Sequence, residues 1–340
     1  DLLRRLFETT VKRCIDEGLV GGDGFAVDAS LIRAEANRQR FHPGEQGLPP
    51  GLASRAIDEY FAVLDDAAFG AATPVVPSRM SPTDPAARYT SAHGGQAQFC
   101  YATNYLIDVA NAVIVDVEAS TAVRQAELTA AKRMIERAHN DLGLWPRKLI
   151  ADTAYGSAEM LAWLVHERDI HPHIPVFDKS ARRDGAFERA DFAYDLDEDH
   201  YTCPAGKVLK RCRRYGARDP DAPHADGFFR YRASKLDCDA CTLKPRCCPG
   251  VEPRKVTRSV HEGARNLARA IAEEDEWLVS RRERKKVEML FAHLKRILRL
   301  DRLRLRGPNG ARDEFHLAAA AQNLRKLAKL IPMPMHPVLA

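Results

Sequence analysis

Between residues 24 and 176, short apolar runs alternate with helical stretches, and this order narrows the available architectures more than any other property of the chain. Residues 24–28 (GFAVD) read as a buried strand ending in a carboxylate. Residues 96–107 and 112–117 have strand composition, and Asp108 and Asn111 between them predict a hairpin turn. Helical spacing is expected over 122–142 and 156–168, with strands at 148–151, leading into Asp152, and at 173–176. Upstream, Leu2 to Ile15 recur at helical spacing until Gly18 stops them, 43–51 is a Pro/Gly loop, and 54–69 is helical. Residues 73–95 carry four prolines and the Gly94-Gly95 pair and are expected to be irregular. Residues 178–255 break into cysteines, turn residues and short β-like runs. Helical pattern resumes from 262 to about 300 and again over 312–330, before a loose tail at 331–340.

At 340 residues the chain is long enough for two domains, or for one large domain with an insertion. Hydrophobic residues at 45% and charged residues at 29% exclude collagenous, low-complexity and wholly disordered classes. No apolar run reaches the ~18 residues of a membrane span, so no membrane association is expected. No charged-then-apolar leader is seen, and the first residue is Asp1, so a fragment or processed product is expected. The net charge of +5 matters less than its distribution. From Arg281 to Arg306 eleven Lys and Arg face three acids, Glu283, Glu288 and Asp301.

Without its two insertions the chain is a β-β-β-α-β-α-β-α string, which resembles the ribonuclease H-like fold. The fold class expected is therefore α/β: a ribonuclease H-like mixed five-stranded sheet flanked by helices, with a small cysteine-rich insertion domain. In that fold the first and fourth strands are parallel neighbours at the sheet centre. Asp28 and Asp152 would then emerge together at the carboxyl end of the sheet, where open α/β sheets place ligands. Paired hard oxygen ligands suit Mg²⁺. Asp108 would leave by the opposite edge, Asp116 sits on an outer strand, and Asp84 lies in the irregular insertion.

A third acid is sought on the following helix. At about 100° per residue, Arg284 and Glu288 fall within about 40° of each other, with Lys295 and Arg281 close by. Val287, Leu290, Phe291, Leu294, Ile297 and Leu298 form a separate apolar stripe. Asp28, Asp152 (in ADTAYGS) and Glu288 resemble the acidic triad of DDE-type bacterial insertion-sequence transposases. The spacing of Arg284, Glu288 and Lys295 is similar to that family's signature, which opens with Tyr where this chain has Arg281. The stretches VDASLIRAEAN, SPTDPAARY, LIADTAYGS, RKKVEMLFAHLKR and AAQNLRKL share the resemblance, from about residue 24 to 330. The resemblance implies metal-dependent DNA cleavage and strand transfer at element ends. Asp28, Asp152 and Glu288 would be the catalytic acids and Mg²⁺ (or Mn²⁺) ligands. It further implies terminal inverted repeats and target DNA as partners, a homodimer in the DNA complex, and a cytoplasmic, nucleoid-associated location in a bacterium.

Cys203, Cys238, Cys241 and Cys247 supply four thiolates with a Cys-x2-Cys pair, a spacing suited to a structural Zn²⁺. An iron–sulfur cluster would accept the same ligands. Cys248 is an alternative to Cys247, and Cys212 is a spare. The basic run, with Arg281, Arg284, Lys295, Arg299 and Arg302, is expected to hold DNA phosphates without reading sequence. Its end, 299–306, alternates charge and leucine like an extended strand. The expected organisation is a helical end at 1–20, a core at 21–177 with an irregular insertion about 40–95, a cysteine-rich insertion at 178–258, the closing core helices at 259–330, and the tail. Two other functions stay open: a non-catalytic zinc-bearing DNA-binding protein, and a related nuclease without strand transfer.

Overall fold

The structure is a computed structural model describing residues 2–91, 95–178, 184–213, 219 and 221–331. The expected tail lies outside the described residues beyond Ile331. Helix α1 (Leu2–Asp16) leads into strand β1 (Gly24–Arg33). The irregular stretch holds β2 (His42–Pro43), α2 (Arg55–Ala62), β3 (Arg79–Met80) and β4 (Arg88–Thr90). There follow β5 (Gln98–Asp108), β6 (Val113–Thr121), α3 (Arg124–Leu142), β7 (Lys148–Ile150), α4 (Ala158–Ala162) and β8 (His171–His173). A second strand-rich region has β9 (Ala193–Asp195), β10 (His200–Thr202), β11 (Val208–Arg211), β12 (Phe228–Ala233), α5 (Lys235–Asp239), α6 (Lys244–Cys247) and β13 (Lys255–Ser259). Helices α7 (Glu262–Ile271), α8 (Asp275–Arg296) and α9 (Gly307–Leu330) close the chain.

The central sheet is mixed. Its order is β4-β5-β1-β7-β8, with β6 also on β5. Strand β1 is antiparallel to β5 and parallel to β7, and β7 is parallel to β8. This mixed sheet with its helices is compatible with a ribonuclease H-like fold. It has six strands rather than five, because the short β4 adds to the start of β5.

Period-two alternation gives the sheet two apolar faces. Ala26, Ile32, Tyr105, Ile107 and Ile150 pack with Val287, Leu290 and Leu294 of α8 and Phe315 of α9. Phe25, Val27, Leu106 and Leu149 pack on the other face against Ala131, Met134 and Ile135 of α3 and Leu161 of the α4 region. Asn323 of α9 clamps the outer strand: its amide accepts from the Ile114 N–H at 2.9 Å and donates to the Ile114 carbonyl at 2.8 Å. Those bonds sit beside a register shift in the β5–β6 ladder, where the backbone would otherwise lack partners.

Several boundaries differ from the sequence expectation. Strand β1 runs on to Arg33, so Asp28 lies within it rather than at its end, because β5 supplies a ladder as far as Cys100. Strand β8 is His171–His173 instead of 173–176. The helix expected from 262 to 300 is two helices, broken at 272–274. Helix α8 stops at Arg296, leaving Ile297 of the expected apolar stripe 65% exposed. The 299–306 segment forms no strand; a single bridge links Arg302 to Arg33. Helix α9 starts at Gly307, inside the expected loop, with Pro308 in its first turn. Strands β9 to β13 form a second, antiparallel five-stranded sheet in the order β13-β12-β11-β10-β9, around Phe187, Phe192, Tyr201, Leu209 and Tyr231.

Candidate active site

The parallel ladder between β1 and β7 ends at the rung Ala26–Ile150. Asp28 and Asp152 each lie two residues past it. Ala26 and Ile150 both face α8, and the alternation carries the two aspartates toward that side. Asp152 caps the 3-10 turn Thr153–Tyr155, accepting from the Ala154 N–H at 2.8 Å. Asp28 accepts from its neighbour's N–H, Ala29, at 2.8 Å.

Helix α8 is pinned along β1 by polar ties on its other flank. Lys148 pairs with Glu276 and Glu283 at 3.2 Å, the Ser280 hydroxyl meets His173 Nδ1 at 2.8 Å, and Lys286 donates to the Val109 carbonyl at 2.9 Å. With Val287, Leu290 and Leu294 buried, Arg284 stands 3.9 Å from Asp152. Glu288, one turn on, is exposed.

The Asp28 carboxyl is pushed up to about 6. Burial is the main cause, and the charges of Asp152 and Glu288 add to it, against the Ala29 N–H and Arg284. Asp28 thus lies within electrostatic reach of both Asp152 and Glu288. Among the described residues, no group of three or more His, Cys, Asp or Glu is arranged to hold a metal ion. Carboxylate oxygens are the donors a hard divalent cation takes, and Asp28 has those of Asp152 and Glu288 within electrostatic reach.

Two further groups in this region escaped the sequence reading. Glu127, in the first turn of α3, has its pKa raised by burial and by Asp152 and Asp28. Tyr155 is buried and its hydroxyl has no hydrogen-bond partner among the described residues; its pKa is raised by burial, then by Glu127, Asp28 and Asp152. Tyr155 lies in the quoted ADTAYGS stretch, and its spacing from Asp152 was the available signal. Glu127 sits on an alanine-rich helix whose pattern marks only the buried side.

The other aspartates have structural partners. Asp116 is bound by Arg4 at 2.7 Å and Arg137 at 2.8 Å. Asp108 accepts from Gly22 at 2.8 Å and Ala110 at 3.0 Å. Asp84 accepts from Tyr101 at 2.5 Å and from Gly307 at 3.2 Å, and burial raises it to about 6.

The basic run is spread out. Arg281 is exposed on α8, and Lys295 lies farther along, its pKa lowered by burial, with Cys100 and Asp301 as opposing neighbours. Arg299 is exposed with φ 56°, and Arg302 pairs with Glu35 at 2.8 Å.

In the second sheet Cys203, Cys238, Cys241, Cys247 and Cys248 line one small cavity of about 20 Å³. Burial raises the thiols of Cys238, Cys247 and Cys248, which also contact one another. Cys248 therefore stands with the four cysteines expected as ligands, whereas Cys212, one residue past β11, is not among the residues lining the cavity. All these cysteines are free.

Residues 202–328 match the model of a family described as transposase DDE domain. The match supports a DDE-type transposase. This transposase match takes in Glu288, the basic run and the cysteine cavity, while Asp28 and Asp152 precede it. It covers rather more than a third of the chain. No curated protein and no solved structure matches the chain.

Proposed function

We propose that the protein is a DNA transposase that cleaves phosphodiester bonds at the ends of an insertion sequence and joins the freed ends to target DNA. The observation that carries this reading is the placement of Asp28 and Asp152 two residues past one parallel rung, with Arg284, one turn before Glu288, 3.9 Å from Asp152, in a chain whose later part matches a transposase DDE domain. The proposed catalytic acids are Asp28, Asp152 and Glu288, which would hold Mg²⁺ or Mn²⁺. Such an ion supplies Lewis-acid stabilisation of charge on the phosphate oxygens. Arg284, beside Asp152, offers guanidinium donors to a phosphate oxygen. Tyr155 and the apolar sheet beneath exclude bulk water from the inner side of the acids. Water attacks phosphorus first, breaking the bond to the 3′ oxygen. The freed 3′-hydroxyl then attacks phosphorus of a target phosphodiester, and the new bond forms as the bond to the target's own 3′ oxygen breaks and that oxygen takes up the proton.

The same reading assigns Arg281, Arg284, Lys295, Arg299 and Arg302 to DNA phosphates. It also assigns Zn²⁺ rather than iron–sulfur to Cys203, Cys238, Cys241 and Cys247, in a cysteine-rich insertion between two parts of a ribonuclease H-like core. It places a homodimer on the DNA and the protein at a bacterial nucleoid. No helix among the described residues is long and apolar enough to cross a membrane.

The test is nicking and joining of labelled DNA bearing element ends, with and without Mg²⁺. Glu288→Gln is expected to lose both reactions while keeping its circular dichroism spectrum and its DNA affinity. Retained cleavage by that variant removes Glu288 from the mechanism, and hydrolysis without joining makes the protein a nuclease.

A further inference from the structure

A second cleft, of about 590 Å³, opens between the α3 and α4 region and strands β12 and β13. Its lining sets Arg124, Arg189 and Arg265 against Asp178 and Glu159, with Ser157 and Ser259 beside them. We infer that this cleft holds the phosphodiester backbone of a DNA strand running on from the acids. The inference rests on the transposase reading and adds a strand path to it.

Charge supports it. Arg189, Arg265 and Arg269 share two carboxylates, Asp178 and Glu262, at 2.6 to 3.2 Å. Arg124 adds a further cation with no carboxylate at ion-pair distance among the described residues. Its Nε donates to the Ala154 carbonyl at 2.9 Å, and its guanidinium lies 4.0 Å from the centre of the Phe177 ring. Arg124 Nη2 and Arg265 Nε are buried and have no acceptor among the described residues. A planar guanidinium fork suits phosphate oxygens. Ser157 and Ser259 accept from backbone N–H groups of Met160 and His261, so their hydroxyl protons are not spent in those bonds.

Connection to the acids supports it equally. Ala154, which holds Arg124, is in the turn that Asp152 caps. The turn that carries Asp152 thus also supplies the carbonyl that orients Arg124 at the cleft. Contacts of this kind position a strand without reading its bases.

The experiment is fluorescence anisotropy of a labelled duplex oligonucleotide, titrated with the full chain across a range of salt. Arg124→Gln should weaken binding about five- to tenfold and reduce the slope of log Kd against log salt by about one. Arg124→Lys should keep the slope. Arg147→Gln, the same charge change at the other end of β7, should leave affinity and slope as in the wild type. Equal affinity and slope for Arg124→Gln and a DNA-binding wild type overturn the inference and leave the transposase reading standing. A wild type with no salt-dependent DNA binding overturns both. Circular dichroism confirms that each variant is folded before its affinity is compared.

Discussion

Two carboxyls, Asp28 and Asp84, are held up to about 6, each chiefly by burial. A raised acid keeps its proton in the folded state while the unfolded chain has already lost it. Stability is therefore favoured below the ordinary carboxylate range, falls as pH rises toward 6, and is flat above. Carboxyl ¹³C shifts recorded against pH in metal-free buffer should show both groups titrating near 6, and melting temperature should decline over the same window. Asp28→Asn should remove one of those titrations and raise metal-free stability by roughly 1–3 kcal/mol, since each pKa unit is worth ~1.4 kcal/mol. Tyr155 tests the floor of the site. Tyr155→Phe deletes a buried hydroxyl that has no partner among the described residues, so the melting temperature should hold or rise slightly. If the hydroxyl positions water among the acids, the cleavage rate falls while DNA affinity does not; an unchanged rate leaves the ring a packing role only. The two aspartates were legible because alternation and strand order are sequence properties. Glu127 and the Tyr155 hydroxyl matter through burial and neighbours supplied by distant segments, which no local pattern records.

At the scale of elements, Asn323 shows how a short motif is used. The AAQN stretch of α9 closes a backbone donor and acceptor on the outer strand at Ile114. Asn323→Leu leaves both without a partner, and denaturant melts should show a loss of about 2–4 kcal/mol, at roughly 1–3 kcal/mol per stranded group. The central β-β-β-α-β order was readable from alternation and helical period. The break between α7 and α8 was not, because residues 272–274 are Ala-Glu-Glu, with no proline or glycine to mark it. Gly307 and Gly310 misled for a related reason. They serve close packing: a side chain at Gly307 would strike Glu59, and one at Gly310 would strike Leu305. Glycine read from sequence suggests a loop, yet here it lets the start of α9 approach α2.

Across the whole molecule, Glu262 links regions far apart in the chain. It is 1% exposed in the first turn of α7 and pairs with Arg189, which precedes the second sheet, at 2.6 Å, and with Arg269 at 2.8 Å and Arg265 at 3.0 Å. Burial works against its charge, but the hydrogen bonds and charges of Arg269, Arg189 and Arg265 outweigh burial and hold its pKa below the usual range. Glu262→Gln should cost about 3–5 kcal/mol, the expected scale for breaking a buried pair, read as a lower midpoint in urea. A depressed acid contributes stability that is lost as pH falls through its folded value, the opposite sense to Asp28.

The mouth between β1 and β7 has unequal jaws. Past the rung at Ala26 and Ile150, β1 stays laddered to β5 as far as Arg33, whereas the chain after β7 turns at once into the 3-10 bend that carries Asp152. Any change in aperture between the two aspartates would fall to the Asp152 side, like a caliper with one fixed arm, and that bend is the one tethered to Arg124.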